Sequence, residues 1–321
     1  MTQNNNTAFI FPGQGSQEVG MGKELYDNFA EAKEVFQEVD DALGQKLSKI
    51  IFEGPMEDLT LTENTQPALM ATSIAVLRVL LKQSGKNLTD FAGLVAGHSL
   101  GEYSALCAAE TISLRDTAKL LRTRGSAMQS AVPAGLGAMA AIIGLSFDDA
   151  VAVALAATNG SEVCDVANDN SDGQIVISGS KAAVERAEAI AKEKGAKRFI
   201  LLQVSAPFHS RLMKPAADVM AKAFEEVEFK APLVPVVANV TAQKTSNPSE
   251  IKEYLVKQVD GRVRWRESSQ NMVKDFGVTK TVEVGAGKVL SGLVKRIAKD
   301  AGHEVETLNL LTPKDIEEFL K

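Results

Sequence analysis

Leu94-Val95-Ala96-Gly97-His98-Ser99-Leu100-Gly101-Glu102-Tyr103-Ser104-Ala105-Leu106-Cys107-Ala108-Ala109 is the stretch on which the fold turns. Its first three residues are a short apolar run of the kind a buried strand shows, and the residues after Gly101 read as a helix. Between them lies G-x-S-x-G. Glycines on both sides of a serine let the backbone bend sharply and let neighbouring elements pack close, which holds the hydroxyl out at the tip of the bend beside the free amides of a helix N-terminus. Strand, tight turn, helix therefore predicts an α/β sheet with Ser99 at its edge. The turn allows two readings, a nucleophilic serine or a glycine-rich connection with a capping serine.

Composition narrows the classes. The chain has 321 residues, enough to bury a large core in one large domain or two smaller ones. A net charge of -6 gives no support to nucleic-acid binding, which draws on an excess of Lys and Arg. Its two cysteines, Cys107 and Cys164, make neither a disulfide framework nor a metal cluster and read as small core residues. Met1 to Thr7 is polar without a basic region, and the apolar run Ala8 to Phe11 is too short for a signal peptide. No run reaches the length of a membrane span. A cytoplasmic protein without membrane association is expected.

Upstream of the elbow, Ala8-Phe9-Ile10-Phe11 reads as a buried strand ending in Pro12-Gly13-Gln14-Gly15-Ser16-Gln17. That loop leaves a strand end, where open α/β sheets place ligands. It is no dinucleotide fingerprint, since Glu18 holds the third glycine position. Helices are predicted around Lys23 to Val39 and from Asn64, with Asn64 as cap, Pro67 in the first turn and Gly85 past the end. Downstream, Ser113 and Asp116 mark the start of another helix. Arg115, Lys119 and Arg122 fall on one side of it, read as a solvated basic face. Leu120, Leu121, Ala127, Met128 and Ala131 fall on the other, and Arg124 projects into that apolar stripe. A guanidinium there needs an anionic partner, because an unpaired buried charge costs several kcal/mol. The partner is either an internal carboxylate or an anionic group of a substrate, held bidentately.

Pro133, Gly135 and Gly137 break the composition. The order that follows is strand (Ala138 to Ile143), helix (Phe147 to Ala157), strand (Glu162 to Asn168), strand (Gln174 to Ser178), helix (Lys181 to Gly195), strand (Arg198 to Val204). This βαββαβ order is that of a ferredoxin-like unit, and about 70 residues suit a small inserted domain. Asn168-Asp169-Asn170-Ser171 reads as a polar loop between its two central strands. Beyond Ser205-Ala206-Pro207-Phe208-His209-Ser210 comes a helix carrying Leu212, Met213 and Val219, then a strand from Val234 to Val240. Asn247-Pro248-Ser249-Glu250 starts a helix that runs to about Val259. A helix at Glu267 to Phe276 and a strand at Thr281 to Val284 follow. Gly285-Ala286-Gly287-Lys288 opens another helix but is no Walker loop, because Val289 stands where Ser or Thr is required. A strand near Glu304 to Leu308 and a helix capped at Thr312 end the chain.

The fold class expected is α/β. A large α/β-hydrolase-like domain with a mainly parallel sheet spans residues 1–132 and 205–321, and a small ferredoxin-like α+β subdomain at residues 133–204 is inserted in it.

A serine nucleophile needs a base, and the chain holds three histidines. His98 adjoins Ser99 around a sharp turn, where side chains diverge, and His303 lies among charged residues. His209, at a strand-to-helix junction beside Pro207 and Phe208, is the candidate. In the order Ser, Asp, His, the acids between Ser99 and His209 would have to orient it. Asp165, Asp169 and Asp172 show no triad-like context, so the reading is a Ser-His dyad oriented by something other than a carboxylate.

Together these residues resemble the malonyl-CoA:acyl carrier protein transacylases of bacterial fatty acid synthesis. The resemblance lies in Phe11-Pro12-Gly13-Gln14-Gly15-Ser16-Gln17, Gly97-His98-Ser99-Leu100-Gly101-Glu102, Arg124, Asn168 to Gly179, Pro207-Phe208-His209-Ser210 and Glu283 to Leu290, in the right order over nearly the whole length. Ala286 and Asp172 stand where many members have proline, away from the chemistry. The resemblance implies that Ser99 takes the malonyl group as an ester and that His209 activates it. It implies that the backbone carbonyl of Gln258 orients His209 and that the amides of Gln14 and Leu100 form an oxyanion hole. By the same resemblance Arg124 pairs with the malonyl carboxylate and Asn168 lines the cleft, while Phe208, directly before His209, resembles the malonyl-selecting form of related polyketide acyltransferase domains. The expected partners are malonyl-CoA as substrate and an acidic, phosphopantetheinylated acyl carrier protein. No cofactor or metal is expected, and the protein is read as a monomer. Arg262, Arg264 and Arg266, or the Arg115/Lys119/Arg122 face, are candidates for docking the carrier. A discrete malonyl acyltransferase of polyketide synthesis and a serine esterase or thioesterase are the alternatives.

Overall fold

The computed structural model describes residues 5–321, so the reading of the first four residues as part of a polar, leaderless start lies outside them. In chain order the strands are β1 (Thr7–Phe11), β2 (Leu94–Gly97), β3 (Gly137–Ile143), β4 (Cys164–Ser171), β5 (Gln174–Ser180), β6 (Arg198–Leu201), β7 (Val236–Val237), β8 (Lys244–Thr245), β9 (Lys280–Val284) and β10 (Glu306–Leu310).

Six of them form one sheet in the order β10-β9-β1-β2-β7-β8. Every pairing is parallel except β7 with β8. Successive residues of its strands alternate between two cores, as the strand period of two requires. Phe9, Phe11, Val95, Val282 and Val284 face a core that includes the helix Thr62–Ser84. Ala8, Ile10, Leu94 and Ala96 face another, closed by the helices Trp265–Lys274 and Val289–Asp300. Register then positions the loops. Phe11 lies opposite Gly97 and Ile10 opposite Glu283, so the Pro12–Gln17 loop, the Ser99 elbow and the Gly285–Lys288 loop leave the same carboxyl edge.

The other four strands make an antiparallel sheet in the order β4-β5-β3-β6. Ala140, Ile142, Ile175 and Ile177 pack under the helices Phe147–Ala157 and Lys181–Glu193. Met139, Ala167 and Val176 on the opposite face join the main core, so this sheet is covered on both sides.

Several boundaries differ from expectation. Lys23 to Val39 is two helices, Lys23–Asn28 and Ala30–Leu43, parted by Phe29 in an extended conformation. Asn64 is not a cap: the helix begins at Thr62, and Asn64 Nδ2 donates to the Asp58 carbonyl at 2.8 Å. Asn168 to Ser171 is not a loop between central strands. It continues β4, an edge strand, because its polar side chains find partners outside the sheet. Asp169 is fully buried and takes a forked contact from Arg266 at 2.8–3.1 Å, while Asn170 Oδ1 meets His98 Nε2 at 2.9 Å. The strand expected over Val234 to Val240 pairs only at Val236 and Val237, after which the chain turns to aim Asn239 at the elbow. Among the described residues no helix is long and apolar enough to cross a membrane.

Candidate active site

Ser99 sits at φ 54°, ψ -112°, between β2 and the helix Leu100–Ala108. The two glycines of the elbow are there for space. A Cβ on Gly97 would overlap the Gly101 carbonyl, and one on Gly101 would overlap the Phe11 carbonyl, so the sharp turn and its contact with β1 admit no larger residue. Asn239 then grips the turn from the side, accepting from the Ser99 backbone N–H at 2.8 Å and donating to the Gly97 carbonyl at 2.7 Å.

Ser99 Oγ lies 2.7 Å from His209 Nε2. On the other side of the ring, Nδ1 is 2.9 Å from the Gln258 carbonyl and 3.2 Å from that of Gly261. Carbonyls only accept, so Nδ1 carries the hydrogen and Nε2 is free to take the serine proton. These acceptors stand at the C-terminal end of the helix Pro248–Asp260, where backbone carbonyls lack helical partners. A helix end does the orienting that an aspartate does in a triad. Burial, then the Arg124 charge, push the His209 pKa down to about 3, so the ring is a neutral base at physiological pH. His303 is exposed, and the His98 side chain turns away to Asn170.

Arg124 is 1% exposed. It is brought to the site by close helix packing: a Cβ on Gly125 would come within 2.5 Å of the Glu63 Cα, so the helices Leu114–Ser130 and Thr62–Ser84 nearly touch there. Nη1 donates to Gln66 Oε1 at 2.8 Å, and Nη2 donates to Gln258 Oε1 at 2.8 Å and to Ser99 Oγ at 3.2 Å. Nε has no acceptor. The guanidinium is thus held by neutral amide oxygens, with no carboxylate of the described residues in contact. Glu102 lies near enough to act on Arg124 through its charge, and burial pushes its own pKa up to about 7.

Ser99, His209 and Arg124 open onto a cavity of about 340 Å³, whose wall includes Gln14, Leu100, Asn168 and Phe208. Met139, Leu202 and Val204 close it from the second sheet and the segment after it. Leu100 N–H is the first amide of its helix, one of those a helix leaves without an internal acceptor. Of the catalytic and substrate-binding residues expected from the sequence, Ser99, His209, Gln14, Leu100, Arg124, Phe208 and Asn168 reach this cavity, and Gln258 does not, its side chain lying against Arg124.

Sequence reasoning missed Gln66, Asn239 and Glu102. For Glu102 a signal existed, a carboxylate inside an otherwise apolar helix, the same anomaly that marked Arg124. Gln66 and Asn239 carried none. Of the docking candidates, Arg262 and Arg264 share Glu267 and Arg266 pairs with Asp169, so each already has a carboxylate partner. Arg122 is half-buried rather than on the solvated face with Arg115 and Lys119, and burial lowers its pKa against the pull of Glu63.

Known proteins share this architecture. The family described as acyl transferase domain matches residues 8–320. The malonyl CoA-acyl carrier protein transacylase of Bacillus subtilis is 49% identical over 310 residues, 97% of this chain and 95% of that one. The enzyme of that name from Escherichia coli K12 is 47% identical, covering 90% and 92%. Among solved structures, the acyl-carrier-protein-S-malonyltransferase of Bartonella henselae superposes with a TM-score of 0.93 at 55% identity, over 98% of each chain. A malonyl-transacylase in complex with a type II polyketide synthase acyl-carrier protein gives 0.92 at 41% identity, again over 98% of each.

Proposed function

With the chain a member of the acyl transferase family, and within it of the malonyl-CoA:acyl carrier protein transacylases, we propose that Ser99 is the residue on which the malonyl group rides between its two thiols. The reaction is an acyl transfer from malonyl-CoA to the phosphopantetheine thiol of an acyl carrier protein, and it supplies the malonyl units of fatty acid chain elongation.

His209 Nε2 takes the Ser99 proton as Oγ attacks the thioester carbonyl. The negative charge that forms on the carbonyl oxygen is received by the amides of Gln14 and Leu100, each such donor being worth about 3–4 kcal/mol. The C–S bond breaks, His209 returns the proton to the departing coenzyme A sulfur, and a malonyl–Ser99 ester remains. In the second half-reaction the carrier thiol gives its proton to His209, its sulfur attacks the ester carbonyl, and the C–O bond breaks with the proton going back to Ser99. Acyl group and protons balance without a cofactor. Arg124 pairs with the free malonyl carboxylate in both halves. Phe208 and Asn168 shape the space around the acyl group, and a thiol arm that fills the half-open cavity displaces water at the ester stage.

Arg124 is the observation that carries this reading. A buried cation that touches two neutral amide oxygens and the nucleophile, and faces a cavity, has no carboxylate in contact among the described residues, and a malonyl group supplies one. An esterase of uncharged acyl groups has no use for it. Transfer to holo acyl carrier protein, followed by the mass of the carrier, tests the assignment: the carrier gains a malonyl group with wild type and none with Ser99→Ala. Transfer surviving in Ser99→Ala would overturn it. A polyketide carrier is a second reading, favoured by the likeness to the transacylase solved with such a carrier.

The finer architecture belongs to this proposal. We read residues 133–204 as a ferredoxin-like insert in an α/β-hydrolase-like frame formed by 1–132 and 205–321. Its support is that the four antiparallel strands and their two helices run consecutively and share a core. A cytoplasmic monomer completes the reading.

A further inference from the structure

The Glu102 side chain touches neither the cavity nor the side chains of the proposed dyad, yet two arms of the site meet on it. It is 2% exposed, one helical turn beyond Ser99. Its Oε2 accepts from Gln258 Nε2 at 2.9 Å and from the Asn239 backbone N–H at 3.1 Å. Each of those residues goes on to hold something else. The Gln258 amide donates its second N–H to the Ser99 carbonyl at 2.9 Å and offers Oε1 to Arg124 Nη2 at 2.8 Å. Asn239 holds the elbow through the Ser99 N–H and the Gly97 carbonyl.

A carboxamide has a donating end and an accepting end of nearly the same shape, so its orientation is set by what faces it. Arg124 only donates and must see oxygen. The other end of Gln258 faces two oxygens, the Glu102 carboxyl and the Ser99 carbonyl, and must present nitrogen. Take Glu102 away and one amide hydrogen of Gln258 and the Asn239 N–H are left buried without an acceptor. The amide is then held against a turn that would set N–H against the guanidinium by the Ser99 carbonyl and Arg124 alone, with one of its three restraints gone. Whether or not Oε1 carries a proton, Oε2 keeps its two donors, so the demand is for an acceptor at that place.

We propose that Glu102 is a positioning residue for substrate selection, which acts through the Gln258 side chain to hold the Arg124 guanidinium where it meets the carboxylate of the acyl group. This rests on the malonyl reading of Arg124 and deepens it. The role is separate from that of the Gln258 backbone carbonyl, which any residue at that position retains.

The test is the ratio of kcat/KM for malonyl-CoA to that for acetyl-CoA, measured on wild type and on Arg124→Ala, Glu102→Leu, Glu102→Gln, Gln258→Met and the Glu102→Leu/Gln258→Met pair. Glu102→Leu removes the acceptor, and its ratio is expected to fall about tenfold, the effect of one buried hydrogen bond, mainly through KM for malonyl-CoA. Glu102→Gln keeps an acceptor oxygen and is expected to hold the ratio within about threefold of wild type. The double variant is expected to be no less selective than Gln258→Met alone, because both changes cut one chain of contacts. Equal loss of both substrates in Glu102→Leu, or a ratio in Glu102→Gln as low as in Glu102→Leu, overturns the proposal. Should Glu102→Leu fail to fold, Glu102→Gln and Gln258→Met still decide: a Gln258→Met ratio equal to wild type also overturns it. If Arg124→Ala leaves the ratio unchanged, the malonyl reading itself has failed. If Arg124→Ala lowers it and neither Glu102→Leu nor Gln258→Met does, only the role of Glu102 has.

Discussion

Both members of the proposed dyad stand where a side chain is rarely tolerated, Ser99 at φ 54° and His209 at φ 55°. Each such residue costs about 1–3 kcal/mol and persists only where its surroundings over-determine it. Here they do, through Asn239 and the paired glycines on one side and two helix-end carbonyls on the other. The imidazole leads to a direct prediction. A histidine whose folded pKa is depressed to about 3 stays unprotonated above that value, so long-range 1H–15N spectra should show His209 neutral, with hydrogen on Nδ1, from pH 5 to 8. A titration midpoint near the ordinary value of 6.5 would contradict the burial argument. For Arg124→Ala, losing a buried charge-paired contact costs about 2–4 kcal/mol, so kcat/KM for malonyl-CoA should fall roughly 30-fold to 1,000-fold while acetyl transfer falls much less. Equal losses would show that Arg124 serves only Ser99. Read from the residues alone, Ser99 was legible from its glycine turn, and His209 and Arg124 as a scarce histidine and an arginine in an apolar stripe, while Gln14, Asn168 and Gln258 came only with the resemblance. Asn239 and Gln66 were invisible, because a neutral amide in a loop or a helix clashes with nothing.

At the scale of elements, close approach decides the site. The long helix Thr62–Ser84 and the helix Leu114–Ser130 pack at Gly125, and that contact brings Gln66 and Arg124 together. Gly125→Ala should force them apart, lowering stability by about 1–3 kcal/mol as overpacking does and weakening malonyl selection with it. Thermal unfolding and the malonyl-to-acetyl ratio check both halves, and an unchanged ratio would separate packing from selection. Most helices and strands could be read from periodicity and caps. Thr312, for example, starts its helix as expected, with a reciprocal box to Asp315. Periodicity failed where tertiary contacts outrank local pattern. Asn168 to Ser171 looked like a turn because its residues are polar, and it is strand because Arg266 and His98 reach across to satisfy them.

For the whole molecule, the site is a space between two sheets, and what holds the second sheet over the first therefore matters to function. Asp169 on β4, fully buried, meets Arg266 from the main body, and next to it Val263 and Asn168 form a parallel bridge. Asp169→Ala leaves Arg266 unpaired at a partly exposed position. It should cost on the order of 2 kcal/mol, less than the roughly 3–5 kcal/mol of a fully buried pair. Hydrogen exchange should quicken in β4 and the Val263 segment before the parallel sheet, and uniform exchange would deny that the pair acts as a clasp. The two-sheet plan could be read from element order, but the cavity could not, since its walls come from residues far apart in sequence. A malonyl ester on Ser99, steadied by Arg124, is detected by mixing the enzyme with equal malonyl-CoA and acetyl-CoA and mapping the adduct by intact mass and peptide fragmentation. The expected result is one malonyl group on the Ser99 peptide in wild type, no adduct in Ser99→Ala, and a shift towards acetyl in Arg124→Ala. An adduct on any other residue, or none on wild type, would contradict it.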